Sequence, residues 1–518
     1  MKNKLLLFLF LFTSIFSQSQ TFEWLVTPEI EPGANGSLLS YATTFDPSGN
    51  VYMTGYKENK FLYGAVFGDN LFNKYDASGN LIFTKMINGH VKVENMISDH
   101  VGNILMAVTF VQTITIGTFT ITNELSGIQA ILLKFDTEGN LIFHDQPIAT
   151  TGLATNFSAI ATDDQNNIYV GYSDGENTVI QKRTPSGAVI STISQQNIYS
   201  VTSIDVDIQD NIYVAGACAQ MDATFAGVNV NSNLQYNCYV VKYDASGTFQ
   251  WVKFVEDITC STPAVKVATP NDIYFSSTLF GSYLFDSIQT DGPEIGAFTD
   301  VFIAKLNSDG AYQWVREVPG STGSVKYGKQ NFLETDTASN VFFVGSTRGA
   351  IQWTPTISTV IAGFSDDGLI LKFDTNGELR MAKTAGGSSL DGFDAIAVND
   401  LGELAVTGIS YNTATFDSFT HQVATEKPYP ILGKISSPPL GMSRVEKKNL
   451  IIYPNPSNAF IQIANTTQNY EGTLFNMMGQ KVMQFEIGPN LPVSVQMLPK
   501  GTYLLKLVGE RSQKFIRD

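Results

Sequence analysis

Short apolar runs rich in Val, Ile, Thr, Tyr and Phe alternate with polar turns along most of this chain, without helical periodicity between them. That pattern predicts β-strands joined by tight reversals. Two kinds of turn recur. The first appears seven times, as DPSGNVYMTG (Asp46–Gly55), SDHVGNILMA (Ser98–Ala107), TDDQNNIYVG (Thr162–Gly171), DIQDNIYVAG (Asp207–Gly216), TPNDIYFS (Thr269–Ser276), DTASNVFFVG (Asp336–Gly345) and NDLGELAVTG (Asn399–Gly408). The second follows it six times, at Lys74–Phe83, Lys134–Phe143, Lys182–Ile190, Lys242–Trp251, Lys305–Trp314 and Lys372–Met381, for example KYDASGNLIF and KYDASGTFQW. In each, Asp can accept bonds from the turn backbone while Gly or Asn adopts a positive φ. One period is therefore strand, turn, strand, variable excursion, strand, turn, strand.

Four antiparallel strands per period, with steps of 44 to 68 residues between equivalent positions, predict a propeller blade rather than a solenoid coil. The ends of the array fit that reading. The seventh period stops after PILGKIS (Pro430–Ser436), and its missing fourth strand lies at the other end of the array: TFEWLV (Thr21–Val26) matches TFQWVK (Thr248–Lys253). Pairing the two would close the ring and remove two unpaired strand edges. The fold class expected is all-β: a seven-bladed β-propeller closed by the N-terminal strand, over 20–436. The pattern GN(I/V)YV(T/A)G followed by AKYD-x-x-G, as at Gly49–Gly55, Asn211–Gly216, Val240–Gly247 and Phe302–Gly310, resembles the SBBP-type β-propeller repeats, a likeness that implies fold and leaves function open.

Composition shifts at SSPPLGMSRVEKK (Ser436–Lys448), so 437–448 reads as a linker. Beyond it seven strand-like runs (LIIYPNP, AFIQIAN, GTLFNMMG, KVMQFEI, PVSVQML, GTYLLKLV and QKFIRD) predict a small immunoglobulin-like β-sandwich over 449–518. Its YPNPS (Tyr453–Ser457), LFNMMGQKV (Leu474–Val482), LPKGTYLLKL (Leu498–Leu507) and KFIRD (Lys514–Asp518) resemble the type A C-terminal sorting domain of Bacteroidetes proteins exported by the type IX secretion system. The resemblance implies that type IX machinery is a partner, and it singles out Tyr453, Pro454, Asn455, Pro456, Gly479, Gly501, Lys514 and Arg517. Pro454 and Pro456 hold Asn455 in a fixed turn, and the glycines allow reversals.

At the start, Lys2 and Lys4 precede an apolar run from Leu5 to Phe16, and the small Ser17 and Ser19 follow; residues 1–19 read as a cleaved secretory signal peptide. No later run is long and apolar enough to span a bilayer as a helix. The net charge of −16 falls on the repeat region, because 446–518 hold eight Lys/Arg against five Asp/Glu. An acidic ring of this kind disfavours nucleic acid. Cys218, Cys238 and Cys260 fit no metal spacing; Cys218 ends one predicted strand and Cys238 opens the next, which suggests a cross-strand disulfide.

Chemistry is sparse. His90, His100, His144 and His421 are scattered, and no nucleophile elbow or phosphate loop occurs in a strand–turn–helix setting. No cofactor is expected. Calcium at the D-x-x-G-N turns is a weak alternative, since they lack the dense carboxylate array of a calcium loop. Both kinds of turn fall at one end of every blade, so recognition is assigned to the opposite face, where the excursions carry Phe67, Phe119, Phe225, Phe285, Trp353 and Phe416. Those aromatics either meet a ligand there, with Phe67, Phe285 and Trp353 the candidates, or pack each excursion as a small hairpin. The functional expectation is a secreted or cell-surface, monomeric, non-enzymatic binding, adhesion or scaffold protein that engages an extracellular glycan or protein. The alternative is a secreted carbohydrate-active hydrolase or lyase using channel carboxylates.

Overall fold

The computed structural model describes residues 20–28, 41–123, 127–146, 157–173, 177–256, 262–293, 300–361, 365–422, 428–436, 451–464, 469–476, 481–489, 491–507 and 513–518. The expected signal peptide (1–19), linker (437–448), Cys260 and Gly479 lie outside them. Every regular element described is a β-strand. The chain divides into two compact units, Met1–Pro438 and Pro439–Asp518.

The first unit is propeller-like. Its strands form successive four-strand antiparallel ladders, such as Ser200–Val206, Ile212–Cys218, Asn237–Tyr243 and Phe249–Glu256, or Ala264–Thr269, Asp272–Leu279, Asp300–Leu306 and Tyr312–Glu317. Their first strands touch in succession, and the last of them, Gly392–Val398, meets the first, Thr43–Phe45, so the array closes on itself. The last ladder takes its fourth strand from the N-terminus: Phe22–Val26 pairs with Tyr429–Ile435 at Trp24↔Lys434, Leu25↔Gly433 and Val26↔Leu432. One boundary is less sharp than the repeats predict. Leu81–Ser98 is a single strand that pairs with Ala65–Tyr75 on one side and with Ile104–Ile116 on the other. Gly89, at φ 124°, lets that strand bend where one ladder gives way to the next.

The turns hold themselves together. In Asp46, Asp99, Asp163 and Asp207 alike, Oδ1 accepts the amides two and four residues on, at 2.8–3.1 Å. Their Oδ2 accepts the Asn side-chain amide that closes the turn. These oxygens are committed to the turn, and a lysine stands beside several of them (Lys74 on Asp46 at 3.2 Å, Lys134 on Asp99 at 3.0 Å), which leaves little for a calcium ion to use.

Those lysines also join one ladder to the next. Lys74 donates to Thr137 O, Lys134 to Pro185 O, Lys242 to Ser308 O and Lys305 to Thr375 O, each in the second turn of the following ladder. Lys434 reaches Ala77 O across the closure at 3.4 Å. Tryptophans do the same: Trp251 donates to Ser308 O, Trp314 to Thr375 O and Trp24 to Ala77 O, all at 3.0 Å. Trp24, on the N-terminal strand, thus makes the contact its repeat equivalents make.

The expected Cys218–Cys238 disulfide does not form. Cys218 pairs with Asn237 and Cys238 with Ala217, so the two thiols are one residue out of step and point to opposite faces of their sheet. Each is buried in a different core layer, and burial pushes the Cys218 thiol up to about 11.

Among its described residues the second unit has seven strands in two sheets. Ile451–Tyr453, Phe460–Ala464 and Val493–Ser494 form one; Lys481–Ile487, Tyr470–Asn476, Gly501–Leu507 and Gln513–Arg517 form the other. Ile452, Ile461, Ile463, Leu474, Leu505, Leu507 and Phe515 make their shared core. Alternation of apolar and polar positions along each run delivers that one buried face.

Candidate functional site

The excursions are compact hairpins, such as Asp222–Phe225 with Val228–Asn231 and Thr413–Phe416 with Phe419–Gln422. A residue of positive φ at the tip (Ala226, Asp286, Asp417) follows an aromatic that turns inward. This corrects the ligand-face assignment for two of its three residues. Phe67 is 1% exposed and Phe285 0%; both belong to the core, as do Phe225 and Phe416. Phe285 packs against Phe302, Tyr283 and Tyr312 at 4.9–5.1 Å between ring centroids. On a two-strand hairpin that lies against the ring, the large apolar side chain goes beneath.

Trp353 differs. It is half-buried and lines a cavity of about 470 Å³ with Arg316, Glu317, Asp291, Thr354 and Glu378. Its indole N–H donates to Thr359 Oγ1 at 2.9 Å, which fixes the ring plane. Glu317 accepts the amides of Asp291 and Gly292 at 2.9 and 2.8 Å and so shapes one wall. Arg316 donates from Nε to Gly377 O and from Nη1 to Val315 O, both at 2.8 Å. Arg316 lies outside the repeated motifs, and Glu378 takes the turn position that Asn80, Asn140 and Thr248 fill in other copies, so its carboxylate stands out only as a departure from the repeat.

Polar groups on the innermost strands pair with one another. Asp205 accepts Val206 N and Val267 N, and Lys266 meets Glu334 at 2.7 Å. Burial pushes the Asp205 carboxyl up; burial would lower Lys266, but Glu334 and Asp205 hold it above its ordinary value. Gln330 donates to Val93 O at 3.2 Å, joining ladders far apart in sequence. The space left among Glu94, Asn95, Ser158, Thr202 and Gln330 is about 40 Å³, room for very little water. Asp394 lies 3.7 Å from Lys329, and burial raises its carboxyl to about 6. The raised carboxyls Asp367 and Asp391 sit instead together on one side of Gly386, where a Cβ would come within 2.6 and 2.9 Å of their oxygens. Among the described residues, no three His, Cys, Asp or Glu gather to hold a metal ion, and no helix is long and apolar enough to cross a membrane.

In the second unit the YPNPS segment is tied to the last strand. Asn455 Nδ2 donates to Lys514 O at 2.8 Å while its Oδ1 accepts Ile516 N at 2.9 Å. Ser457 N donates to Ile516 O, and Asp518 N to Ser457 O. Arg517 turns back to Val495 O at 3.0 Å, whereas the side chains of Lys514 and Tyr453 remain exposed. Gly501 opens its strand opposite Arg517, just after a turn. The spacing of these pieces over the last 70 or so residues thus has a structural basis: both ends of the unit close on Asn455 and Ser457.

Residues 451–517 match the secretion system C-terminal sorting domain family. The sorting domain is therefore the one region whose role similarity assigns, and it marks the chain for secretion to the cell surface or beyond. No curated protein matches the chain. Among solved structures, the Dos1 propeller is similar at 9% identity over 80% of this chain and 95% of its own, with a TM-score of 0.41. Puromycin hydrolase is similar at 9% identity over 76% and 54%, with a TM-score of 0.42. PorZ of Porphyromonas gingivalis, described as an essential bacterial surface component of the type-IX secretion system, is similar at 11% identity over 93% and 75%, with a TM-score of 0.24.

Proposed function

We propose that this chain is a non-enzymatic binding, adhesion or scaffold protein, delivered by type IX secretion to the medium or the outer-membrane surface of a Bacteroidetes cell. The match of residues 451–517 to the sorting domain carries this reading. A cleaved signal at 1–19 would supply the inner-membrane step, and an immunoglobulin-like sorting sandwich the outer-membrane step. The ring is read as a seven-bladed propeller of SBBP-type repeats. Supporting that count are the seven first-kind turns, the closing strand at Phe22–Val26 and the Trp24 contact that repeats those of Trp251 and Trp314.

A rigid ring with short uniform turns, and with varied hairpins laid against its outer strands, is a platform for recognition. The polar groups of the innermost strands support binding over catalysis: Asp205 is held by backbone amides and Glu334 by Lys266, so neither is poised for proton transfer. The hydrolase or lyase alternative rests on the raised carboxyls of Asp367, Asp391 and Asp394.

Fractionation of cells expressing the full chain, a deletion of 449–518 and Asn455→Ala tests the export reading. The deletion is expected to accumulate in the periplasm and the full chain at the surface or in the medium. Asn455→Ala should shift the distribution the same way, in part, because it unties the last strand. Equal surface display of the full chain and the deletion would sink the reading.

A further inference from the structure

The fourth strand of each ladder is an outer edge, and neighbouring excursions cover several of these edges. The hairpin Asp222–Phe225/Val228–Asn231 pairs with the outer strand Val189–Gln196 at Gln195↔Phe225 and Gln196↔Thr224. Thr413–Phe416/Phe419–Gln422 pairs in the same way with Leu379–Gly387. The outer strand Phe249–Glu256 is bridged to the next hairpin by Lys253 and Asp286 at 2.8 Å. Tyr312–Glu317 is met at its start by its own ladder's hairpin, where Asp286 Oδ2 accepts Tyr312 N at 3.1 Å, but among the described residues no strand of the following hairpin pairs with it. The hairpin that follows it, Ile351 to Thr359, pairs within itself, and the cavity at Trp353 opens between the two.

We propose that this cavity binds a neutral saccharide, one sugar ring resting on Trp353 between Arg316 and Glu378. The proposal rests on reading the ring as an extracellular binding module, and it names the ligand class and the place. Its volume of about 470 Å³ falls within the range of small-ligand sites. A sugar has an apolar C–H face and a rim of hydroxyls, so it calls for a flat apolar surface flanked by both donors and acceptors. Trp353 supplies the surface, already fixed by its bond to Thr359, so little freedom is lost on binding. Arg316 spends Nε and Nη1 on Gly377 O and Val315 O, which leaves Nη2 as a donor without a protein acceptor among the described residues. The exposed Glu378 has no side-chain partner among the described residues and offers two acceptor oxygens. Glu317 is taken by the amides of Asp291 and Gly292.

Charge argues for a neutral sugar. Asp291, Glu317 and Glu378 outnumber Arg316 along the walls, in a chain of net charge −16, which repels anionic glycans. Strand addition by a peptide is the rival occupant, since an open edge invites it. Here the Arg316 side chain lies across that edge with Nη1 on its own strand's Val315 O, the kind of carbonyl an incoming strand would need.

The test is a glycan array probed with the purified full chain, then calorimetric titration of the best neutral oligosaccharide into wild type, Trp353→Ala and Glu378→Ala. Wild type should bind saturably. Trp353→Ala should weaken binding about tenfold or more and Glu378→Ala by about threefold to tenfold. Glu378 is exposed on a turn, so its variant keeps the fold, checked by an unchanged thermal midpoint. Binding that survives both substitutions would overturn the cavity assignment and leave the binding reading intact. Binding confined to peptides or to anionic glycans would overturn the saccharide class alone. No neutral glycan bound by wild type would overturn the proposal, and a glycan bound and then cleaved would retire the non-enzymatic reading while keeping the site.

Discussion

The aspartate that begins each turn acts on two scales, and only one of them is visible in the sequence. Its place before x-x-G-N gives away the turn, because a carboxylate there can accept the backbone amides of a tight reversal. What the motif cannot say is that the lysine opening the second motif of the same ladder, 35 positions later in the case of Asp99 and Lys134, stands against that carboxylate. Lys134 lies 3.0 Å from Asp99, with both side chains buried, and also donates to Pro185 O in the next ladder. Removing one partner of a buried pair leaves the other charge uncompensated. Lys134→Met should therefore lower ring stability by about 3–5 kcal/mol, and adding Asp99→Asn should restore part of the loss. The exposed pair Arg380–Asp374 is the control, and Arg380→Ala should cost no more than about 1 kcal/mol. Urea midpoints of wild type and the three variants decide it: equal losses for Lys134→Met and Arg380→Ala would mean that the lysine contacts are ornamental.

Strands and hairpins were legible to different degrees. The N-terminal strand could be placed because TFEWLV copies a strand whose partners the repeat already supplied, and the register at Trp24↔Lys434 follows. The excursion hairpins carried aromatics but no copied partner, so nothing in their sequence separated an inward Phe67 or Phe285 from the half-buried Trp353. The cavity beside Trp353 depends on a hairpin failing to reach its neighbour, a tertiary fact without a local signature. Closure itself can be weighed with two glycines. Gly49 and Gly79 close turns of the same form, one of each kind, at φ 81° and 85°, and a Cβ on Gly49 would meet open space. On Gly79 it would lie 2.8 Å from the Trp24 ring. Gly49→Ala should cost about 1–2 kcal/mol for the backbone alone. Gly79→Ala should cost about 1–3 kcal/mol more, because it also displaces the closing strand. Thermal midpoints that fall equally for the two would show that Trp24 does not seal the ring.

For the molecule as a whole, two populations of carboxyl groups set opposite slopes of stability against pH. Burial works against the turn aspartates Asp46, Asp136 and Asp163, but hydrogen bonds from Asn50, Asn140 and Asn167 hold their carboxyls below the ordinary value. Such groups stabilise the fold above the unfolded pKa of about 4 and lose that contribution as pH falls through the depressed folded value. Asp300 runs the other way. Burial raises it to about 7, even though its Oδ1 accepts Val301 N and Val318 N. Asp367, Asp391 and Asp394 are raised to about 6, again chiefly by burial. A raised acid binds its proton in the folded state first, so its contribution is complete below about pH 4 and vanishes as pH climbs through 6 and 7. Self-repulsion in a chain of net charge −16 adds to the same trend. The ring's calorimetric midpoint should therefore rise as pH is lowered from 8 toward about 4.5, then fall steeply below about 4, where the turn aspartates protonate. Asp300→Asn isolates the largest of the raised shifts, since Asn Oδ1 can still accept both amides. Wild type should gain on the order of 3 kcal/mol from Asp300 between pH 8 and pH 4.5, and the variant should lack that gain. The variant should thus be the more stable protein at pH 8, with the two curves converging on acidification. Parallel curves across that range would mean that Asp300 titrates as an ordinary carboxylate and that its burial costs the ring nothing.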